Sequence, residues 1–132
     1  HGSVKFTDDS AEERLRIELI AQIKGLLPST YLVLHGSSSI PIDAVRMINA
    51  NGGSVTESFG IDTGQKQEGI RSGIRKINQG TDSHLCWTAG LRSRLSANPS
   101  EVEPSAAVGA ALDAMRTIVA TRMREFGSSG RG

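Results

Sequence analysis

The sequence predicts an α/β fold in which helices cover a parallel sheet. Three observations support this prediction. Two short apolar stretches have the composition of strands, helical patterns surround them, and small polar residues follow the end of each predicted strand. In folds with this order of elements, active sites lie at the carboxyl ends of the strands. We therefore expect a functional site where the two predicted strands end.

The first predicted strand follows a helix. Ser10 and Glu13 form a capping-box pattern, and apolar residues at helical spacing predict a helix over residues 11–27, ended by Pro28. The residues expected on its inward face are Leu15, Leu19, Ile20, Ile23, Leu26 and Leu27. Residues 30–34 are aromatic, β-branched and aliphatic without polar alternation, which is typical of a strand covered on both faces.

The next elements repeat this alternation. A helix is predicted over residues 41–50, with Pro41 as its first residue, and a loop over residues 54–63. A short helix over residues 65–72 and a second strand over residues 74–78 follow.

Two more helices complete the pattern. Asp82 is predicted to cap a helix that runs to about Ala97. Its inward residues are expected to be Leu85, Leu91 and Leu95. A last helix over residues 105–126 is closed by Gly127. It carries an apolar stripe of Val108, Ala111, Leu112, Met115, Ile118, Val119, Arg122 and Phe126.

Length and composition limit the possible functions. With 132 residues, 37% of them hydrophobic, the chain has room for one modest core and one domain or part of one. Fifteen basic and 14 acidic residues are interspersed, which argues against nucleic acid or an anionic membrane as a partner. Cys86 is the single cysteine and no apolar run is long enough to cross a bilayer, so we expect a cytoplasmic protein.

The chain has features of a fragment. It opens on His1-Gly2 instead of methionine and stops in the Gly/Ser-rich residues 127–132. We therefore expect residues 1–132 to be a single partial domain. Two strands alone leave unpaired sheet edges, so the isolated chain is not expected to be a stable monomer.

The predicted strand exits carry the candidate site residues. Gly36–Ser39 and Asn78–Asp82 offer backbone N–H groups and hydroxyls suited to a phosphate, although both are also typical of ordinary strand-to-helix turns. His1 and His35 each precede a glycine, and imidazole is a common metal ligand. Spacing leaves open a shared metal ion or two histidines without one.

Other reactive side chains have simpler interpretations. His84 is expected on a helix surface, and Cys86 and Trp87 are expected to pack against neighbours. The arginines are expected on solvated helix faces; they are Arg71, Arg75, Arg92, Arg94, Arg122, Arg124 and Arg131.

Five ordered segments resemble the class II, metal-dependent fructose-bisphosphate aldolases, in their C-terminal third. Residues 1–7 resemble the family's His-Gly-x-x-Lys segment, residues 32–41 its strand-His-Gly-Ser-Ser-Ser-x-Pro segment, and residues 69–82 its segment ending in Asn-x-x-Thr-Asp. Residues 98–101 and 125–130 resemble later landmarks of the family.

This resemblance implies the C-terminal part of a (β/α)₈ TIM barrel. It implies that His1 and His35 bind a catalytic Zn²⁺ together with a histidine upstream of this chain. The residues implied to bind the phosphorylated sugar are Gly2, Gly36, Ser37, Ser38, Asn78, Gln79, Gly80 and Thr81.

The resemblance also implies a reaction. The family cleaves fructose 1,6-bisphosphate reversibly into dihydroxyacetone phosphate and glyceraldehyde 3-phosphate, in glycolysis, gluconeogenesis or the Calvin cycle. Zinc stabilises the enediolate, Asn78 would hydrogen-bond to it, and Ser38 and Thr81 would contact the phosphate. The aspartate that transfers protons lies upstream, so the chain alone is expected to be inactive. The full-length protein is expected to be a homo-oligomer.

Two departures from the family pattern leave alternatives open. Gly80 stands where the family usually has an aspartate, and Ser105 stands where it tends to have an arginine that reaches a sugar phosphate of a neighbouring subunit. A tagatose-bisphosphate aldolase and a non-catalytic phosphosugar-binding barrel remnant are therefore alternatives to the fructose-bisphosphate enzyme.

Overall fold

The computed structural model describes residues 15–131, which contain five helices and two strands. In chain order these elements are α1 (Ile17–Leu26), β1 (Leu32–Leu34), α2 (Ile42–Ala50), α3 (Thr63–Arg71), β2 (Ile74–Ile77), α4 (Thr81–Ala97) and α5 (Pro104–Glu125). The order confirms the predicted α/β class. Among the helices described, none is both long enough and apolar enough to cross a membrane.

The two strands form a parallel sheet, as predicted. Leu32 lies opposite Ile74 and Leu34 opposite Ile77, with a shift of register after Leu32. The prediction that β1 is covered on both faces is wrong for the described residues, because Val33 is 44% exposed. A sheet of two strands has no further strands or helices to cover that face.

Helix α1 begins later than the sequence predicts. The capping box and the predicted first turn lie outside the described residues, whereas Leu15 and Arg16 are described and are not helical. The backbone N–H of Leu15 instead donates to the Gln65 side chain of α3 at 3.1 Å. No residue of α1 is buried, and Leu26 is 81% exposed, so most of the predicted inward face of this helix is uncovered.

A small apolar core lies between α2 and α4. Its buried members Ala44, Ile48 and Ala89 are joined by the partly buried Val55, Leu85 and Cys86. The expected packing role of Cys86 is thus confirmed. Leu95 is 43% exposed, so its predicted inward position is wrong.

Helices α4 and α5 approach closely through small residues. A Cβ atom on Gly90 would lie 2.7 Å from the Ala110 carbonyl oxygen, so only glycine fits there. Ala107 and Ala111 of α5 are buried. The predicted stripe of α5 is therefore only partly buried, because the small residues make the contact and Leu112 remains 48% exposed.

Two aspartates differ from their predicted roles at helix N-termini. Asp62, predicted to lie in a loop, caps α3 by accepting a hydrogen bond from the Gln65 backbone N–H at 3.0 Å. Asp82 does not cap α4, whose N-cap residue is Gly80 and lacks a side-chain hydrogen bond. The prediction for Asp82 is wrong because its carboxylate is used in contacts with the loop after β1 and with α5.

Candidate functional site at the strand exits

The two predicted strand exits meet at one edge of the sheet. The Ser37 hydroxyl donates to the Asn78 carbonyl oxygen at 2.8 Å, and the Gln79 side-chain amide donates to the Ser37 carbonyl oxygen at the same distance. The Asn78 backbone N–H donates to Leu34 at 3.0 Å. Parallel pairing places both exits together, as expected, and we call residues 35–40 and 78–82 the strand-exit edge.

Asn78 holds the imidazole of His35. The Asn78 Nδ2 atom lies 2.9 Å from His35 Nδ1, and His35 is exposed. On its other side, the Asn78 Oδ1 atom accepts a hydrogen bond from the Lys76 ammonium group. The Asn78 side chain thus links His35, the predicted metal ligand, to the Lys76 ammonium group, and the separate motifs did not reveal this link.

The serines after His35 are buried and their polar groups are used within the chain. Ser37 and Ser38 are 1% and 2% exposed. The Ser38 carbonyl oxygen accepts the Ile61 backbone N–H at 3.2 Å, and a Cβ atom on Gly60 would lie 1.8 Å from that oxygen. Because the Ser37 hydroxyl already binds Asn78, an anion at this edge would be bound mainly by backbone groups.

The second exit leads directly into α4. Gly80 is exposed, and nothing lies within 4 Å of the position that a Cβ atom would occupy. Thr81 is the first residue of α4. Backbone N–H groups in the first turn of a helix lack intrahelical partners and carry partial positive charge, so the edge beside Gly80 suits an anion.

Asp82 holds the loop after β1. It is fully buried, and its Oδ1 atom accepts the backbone N–H groups of Ser39 at 3.0 Å and Ile40 at 3.4 Å. Ile40 has a φ of 54°, a left-handed conformation that is unfavourable for a β-branched residue. Asp82 therefore stabilises a strained backbone next to the candidate site.

Asp82 connects the strand-exit edge to a group of charged side chains from α3 and α5. Its Oδ2 atom accepts from Arg122 Nε at 2.8 Å, and Arg122 Nη1 donates to Glu125 Oε2 at 2.6 Å. Lys66 of α3 is fully buried, and its ammonium group donates to the Ser39 hydroxyl. We call Lys66 and Asp82, which are fully buried, together with the partly buried Arg122 and Glu125, the buried ion cluster.

The buried ion cluster was not predicted from the sequence. Arg122 was expected on a solvated face, but its side chain is only 13% exposed. Its position on the apolar stripe of α5 was the available signal. No pattern singled out Lys66, because its partners Ser39 and Asp82 are distant along the chain.

His35 fits one position of a metal site. Within residues 15–131, no group of three or more His, Cys, Asp or Glu side chains is placed to hold a metal ion. His35 is nevertheless exposed at a strand exit, and the Asn78 side-chain amide lies within hydrogen-bond distance of its Nδ1 atom. The other predicted ligand, His1, and the predicted substrate-binding Gly2 lie outside the described residues.

Comparison with known proteins identifies relatives over almost the whole chain. Residues 1–131 match the family model described as fructose-bisphosphate aldolase class-II. The chain is 41% identical to the fructose-bisphosphate aldolase of Nostoc sp. over 130 residues, which are 98% of this chain and 36% of that protein. It is 40% identical to the fructose-bisphosphate aldolase of Pseudomonas aeruginosa, over 98% of this chain and 37% of that protein. The chain thus spans little more than a third of the length of these curated relatives.

Proposed function

The chain belongs to the class II fructose-bisphosphate aldolase family, and on that premise we propose that it forms the C-terminal part of a metal-dependent aldolase. The reaction proposed is the reversible cleavage of fructose 1,6-bisphosphate into dihydroxyacetone phosphate and glyceraldehyde 3-phosphate. Enzymes of this family are (β/α)₈ barrels and generally depend on a metal. The parallel β1–β2 pair with its helices is consistent with part of such a barrel.

The observation that carries this proposal is the convergence of His35 and Asn78 beside two backbone segments suited to an anion. The pair lies 2.9 Å apart at the carboxyl end of parallel strands, where barrel enzymes have their active sites. A metal ligand, an amide donor and an anion site within one edge are three of the groups that cleavage of a phosphorylated ketose requires.

Each part of the strand-exit edge has a proposed task. Backbone N–H groups of Gly36–Ser38 and of the segment from Gln79 to Thr81 bind the phosphate of dihydroxyacetone phosphate. Gly36 adopts a φ of 65°, which permits the backbone to turn at this point. The buried Ser37 positions the two segments relative to each other by binding Asn78.

His35, together with His1, would hold Zn²⁺. When bound, the cation supplies Lewis-acid stabilisation of the negative charge that develops on the substrate's carbonyl oxygen. The side-chain amide of Asn78 is placed to donate a hydrogen bond near the same oxygen. We assign no proton-transferring residue to this chain, and we propose that residues 1–132, as a partial domain, have no cleavage activity alone.

The cellular setting forms part of the same proposal. We place the complete protein in the cytoplasm, as a homo-oligomer that takes part in carbohydrate metabolism. Burial raises the pKa of the single thiol, Cys86, above its ordinary value, so we expect this packed thiol to be unreactive.

Gly80 supports a second candidate function. Gly80 has no side chain that could contact the substrate, and among the described residues no atom beyond its chain neighbours lies within 4 Å of the position that its Cβ atom would occupy. Ser105, which lies exposed in the first turn of α5, likewise has no charge to offer a distant phosphate. A non-catalytic phosphosugar-binding protein, or an aldolase for tagatose bisphosphate, would tolerate both residues.

The complete gene product tests the proposal. Its metal content should be measured, and cleavage of fructose 1,6-bisphosphate and of tagatose 1,6-bisphosphate should be followed before chelation, after chelation and after return of Zn²⁺. Zinc-restored cleavage of the fructose compound supports the proposal. Binding of dihydroxyacetone phosphate without cleavage of either sugar would identify a binding protein instead.

A further inference from the structure

We propose that Lys66 is a positioning residue for the phosphate site, acting through Ser39. This inference rests on the proposed function, since it assigns a role at the same strand-exit edge. Lys66 lies on α3, outside every motif that defines the site, yet its ammonium group donates to the hydroxyl of the residue that follows the buried serines.

The contacts of Ser39 show how Lys66 acts. The Ser39 backbone N–H is held by Asp82 Oδ1 at 3.0 Å, and its hydroxyl oxygen is held by Lys66. Ser39 is therefore fixed at both its backbone and its side chain, by residues from α4 and α3. The residue before it is the buried Ser38, and the residue after it is the strained Ile40. Fixing Ser39 consequently restrains the adjacent Ser38 and Ile40, and through Ser38 the backbone segment proposed to bind the phosphate.

The hydrogen bond of Lys66 points to a role beyond charge balance. A fully buried helical position is normally apolar, because removing an ammonium group from water is costly unless charges and hydrogen bonds compensate. Arg122 pairs with Asp82 at 2.8 Å and with Glu125 at 2.6 Å, so the Lys66 charge offsets the second carboxylate of the cluster. The hydrogen bond of Lys66, however, is directed to the loop of the candidate site.

The charges around Lys66 place its titration within an accessible range. Burial lowers the pKa of Lys66 to about 8, opposed by the carboxylates of Asp82, Glu125 and Asp62 and reinforced by the Arg122 guanidinium. The Phe126 ring, with its centroid 5.8 Å from the nitrogen, also faces the group. Above that pH the contact to Ser39 loses its charge, and charge-assisted hydrogen bonds are the stronger kind. The hydrogen bond from Lys66 to Ser39 in the loop after β1 should therefore weaken as the pH rises through about 8.

The test uses the complete, metal-loaded protein and dihydroxyacetone phosphate as the probe. Its affinity is measured by calorimetry from about pH 7 to about pH 9.5, where a phosphate monoester, with its second pKa near 6, stays fully ionised. Affinity of the unchanged protein should fall by about tenfold over this range, the loss expected for about 1.4 kcal/mol of charge-assisted bonding. Lys66→Met should bind several-fold more weakly than the unchanged protein at the lower pH and show little of the pH dependence.

A matched control is Lys24→Met. The Lys24 ammonium donates to the backbone carbonyl oxygens of Pro28 and Thr30, before β1 begins, at the opposite end of the strand from the site. This variant should keep the affinity and pH profile of the unchanged protein. Equal profiles for Lys66→Met and the unchanged protein would overturn the inference.

Ser39→Ala keeps the inference testable if Lys66→Met fails to fold. Removing the hydroxyl should reproduce the weaker and flatter binding, and the double variant should bind no more weakly than either single variant. Independent, additive losses would contradict the proposed link. Cleavage of fructose 1,6-bisphosphate is measured in parallel. If dihydroxyacetone phosphate binds more weakly to Lys66→Met but the unchanged protein cleaves no sugar, only the proposed function is refuted. If the unchanged protein cleaves the sugar but Lys66→Met binds dihydroxyacetone phosphate as the unchanged protein does, only the role of Lys66 is refuted.

Discussion

The strand-exit edge buries polar side chains, whereas the outer surface of the helices exposes apolar ones. At the edge, Ser37 and Asp82 are polar and almost fully buried, and contacts within this chain satisfy them. On the outer apolar surface, defined here as the exposed apolar side chains of α1 and α5, Leu26 and Leu112 are 81% and 48% exposed. A buried polar group without a partner costs about 2–7 kcal/mol, more than exposure of one leucine. The chain therefore satisfies these two polar residues locally while its apolar faces stay uncovered, although the Gln79 Oε1 atom at the same edge is buried without a partner among the described residues.

The largest difference between the two regions is expected in catalysis. In the complete protein, His35→Ala should lower the rate of cleavage by more than about 100-fold and reduce bound zinc, because a catalytic zinc has few protein ligands. His84→Ala, which changes an exposed histidine of α4, is the matched control and should leave both unchanged. Steady-state kinetics and metal analysis check the pair. Full zinc content and turnover in His35→Ala would remove His35 from the site.

Stability should respond strongly to loss of the carboxylate that joins the loop, α4 and α5. Asp82→Ala leaves Arg122 and two backbone N–H groups without this acceptor, and breaking a buried ion pair costs about 3–5 kcal/mol. Asp113→Ala removes an exposed partner of Arg116 and should cost less than about 1 kcal/mol. Denaturant unfolding of the complete protein compares them. Similar losses would mean that the strand-exit edge is no better fixed than the surface.

The lowered pKa of Lys66 predicts a pH-dependent change of comparable size in the free energy of unfolding. Its folded-state pKa, about 8, lies below the ordinary 10.5, so the unfolded state binds more protons between these values and the stability of the unchanged protein rises with pH. Lys66→Met should therefore be more stable by up to about 3 kcal/mol below pH 8. Its advantage should shrink towards pH 10.5. Unfolding free energies measured across this range check the sign, and an advantage that grows with pH would contradict it.

Two glycines sharpen the comparison at the level of backbone contacts. Gly60→Ala forces a Cβ atom against the Ser38 carbonyl oxygen and should cost about 1–3 kcal/mol or more through displacement of the loop. Gly109→Ala, in α5 where nothing lies within 4 Å, should stabilise by about 0.5–1 kcal/mol. Thermal unfolding of both variants shows whether each substitution lowers or raises the stability. A neutral Gly60→Ala would show that the loop moves freely.

The smallest expected effect concerns the outer apolar surface. The isolated 132-residue chain should associate instead of melting cooperatively as a monomer, because its apolar faces are uncovered. Replacing Leu112, Val119 and Met123 by glutamine should reduce this association modestly, whereas Thr117→Gln on the same helix should not. Analytical ultracentrifugation measures the difference. A monodisperse, cooperatively melting parent chain would contradict this prediction.

Patterns local in the sequence predicted much of the fold and part of the site. Helical spacing located α2 to α5 to within two residues at each end, whereas α1 begins only at Ile17, and the exits after Leu34 and Ile77 were correctly expected to meet. The family suggested by five motifs is confirmed. Long-range contacts were not predictable, since no local pattern records that Leu15 donates to Gln65 or that Lys66 reaches Ser39.

The sequence alone determined the class of fold, the family and the polar edge at which chemistry is expected, because periodicity and motif order are properties of neighbouring residues. Tertiary structure decided the fate of individual side chains. Asp82 is a residue type typical of helix N-caps but binds the Ser39 backbone, and Arg122 was expected on a solvated face but is only 13% exposed beside Asp82. Burial and pairing depend on which distant segments meet, and that is settled only when the helices pack.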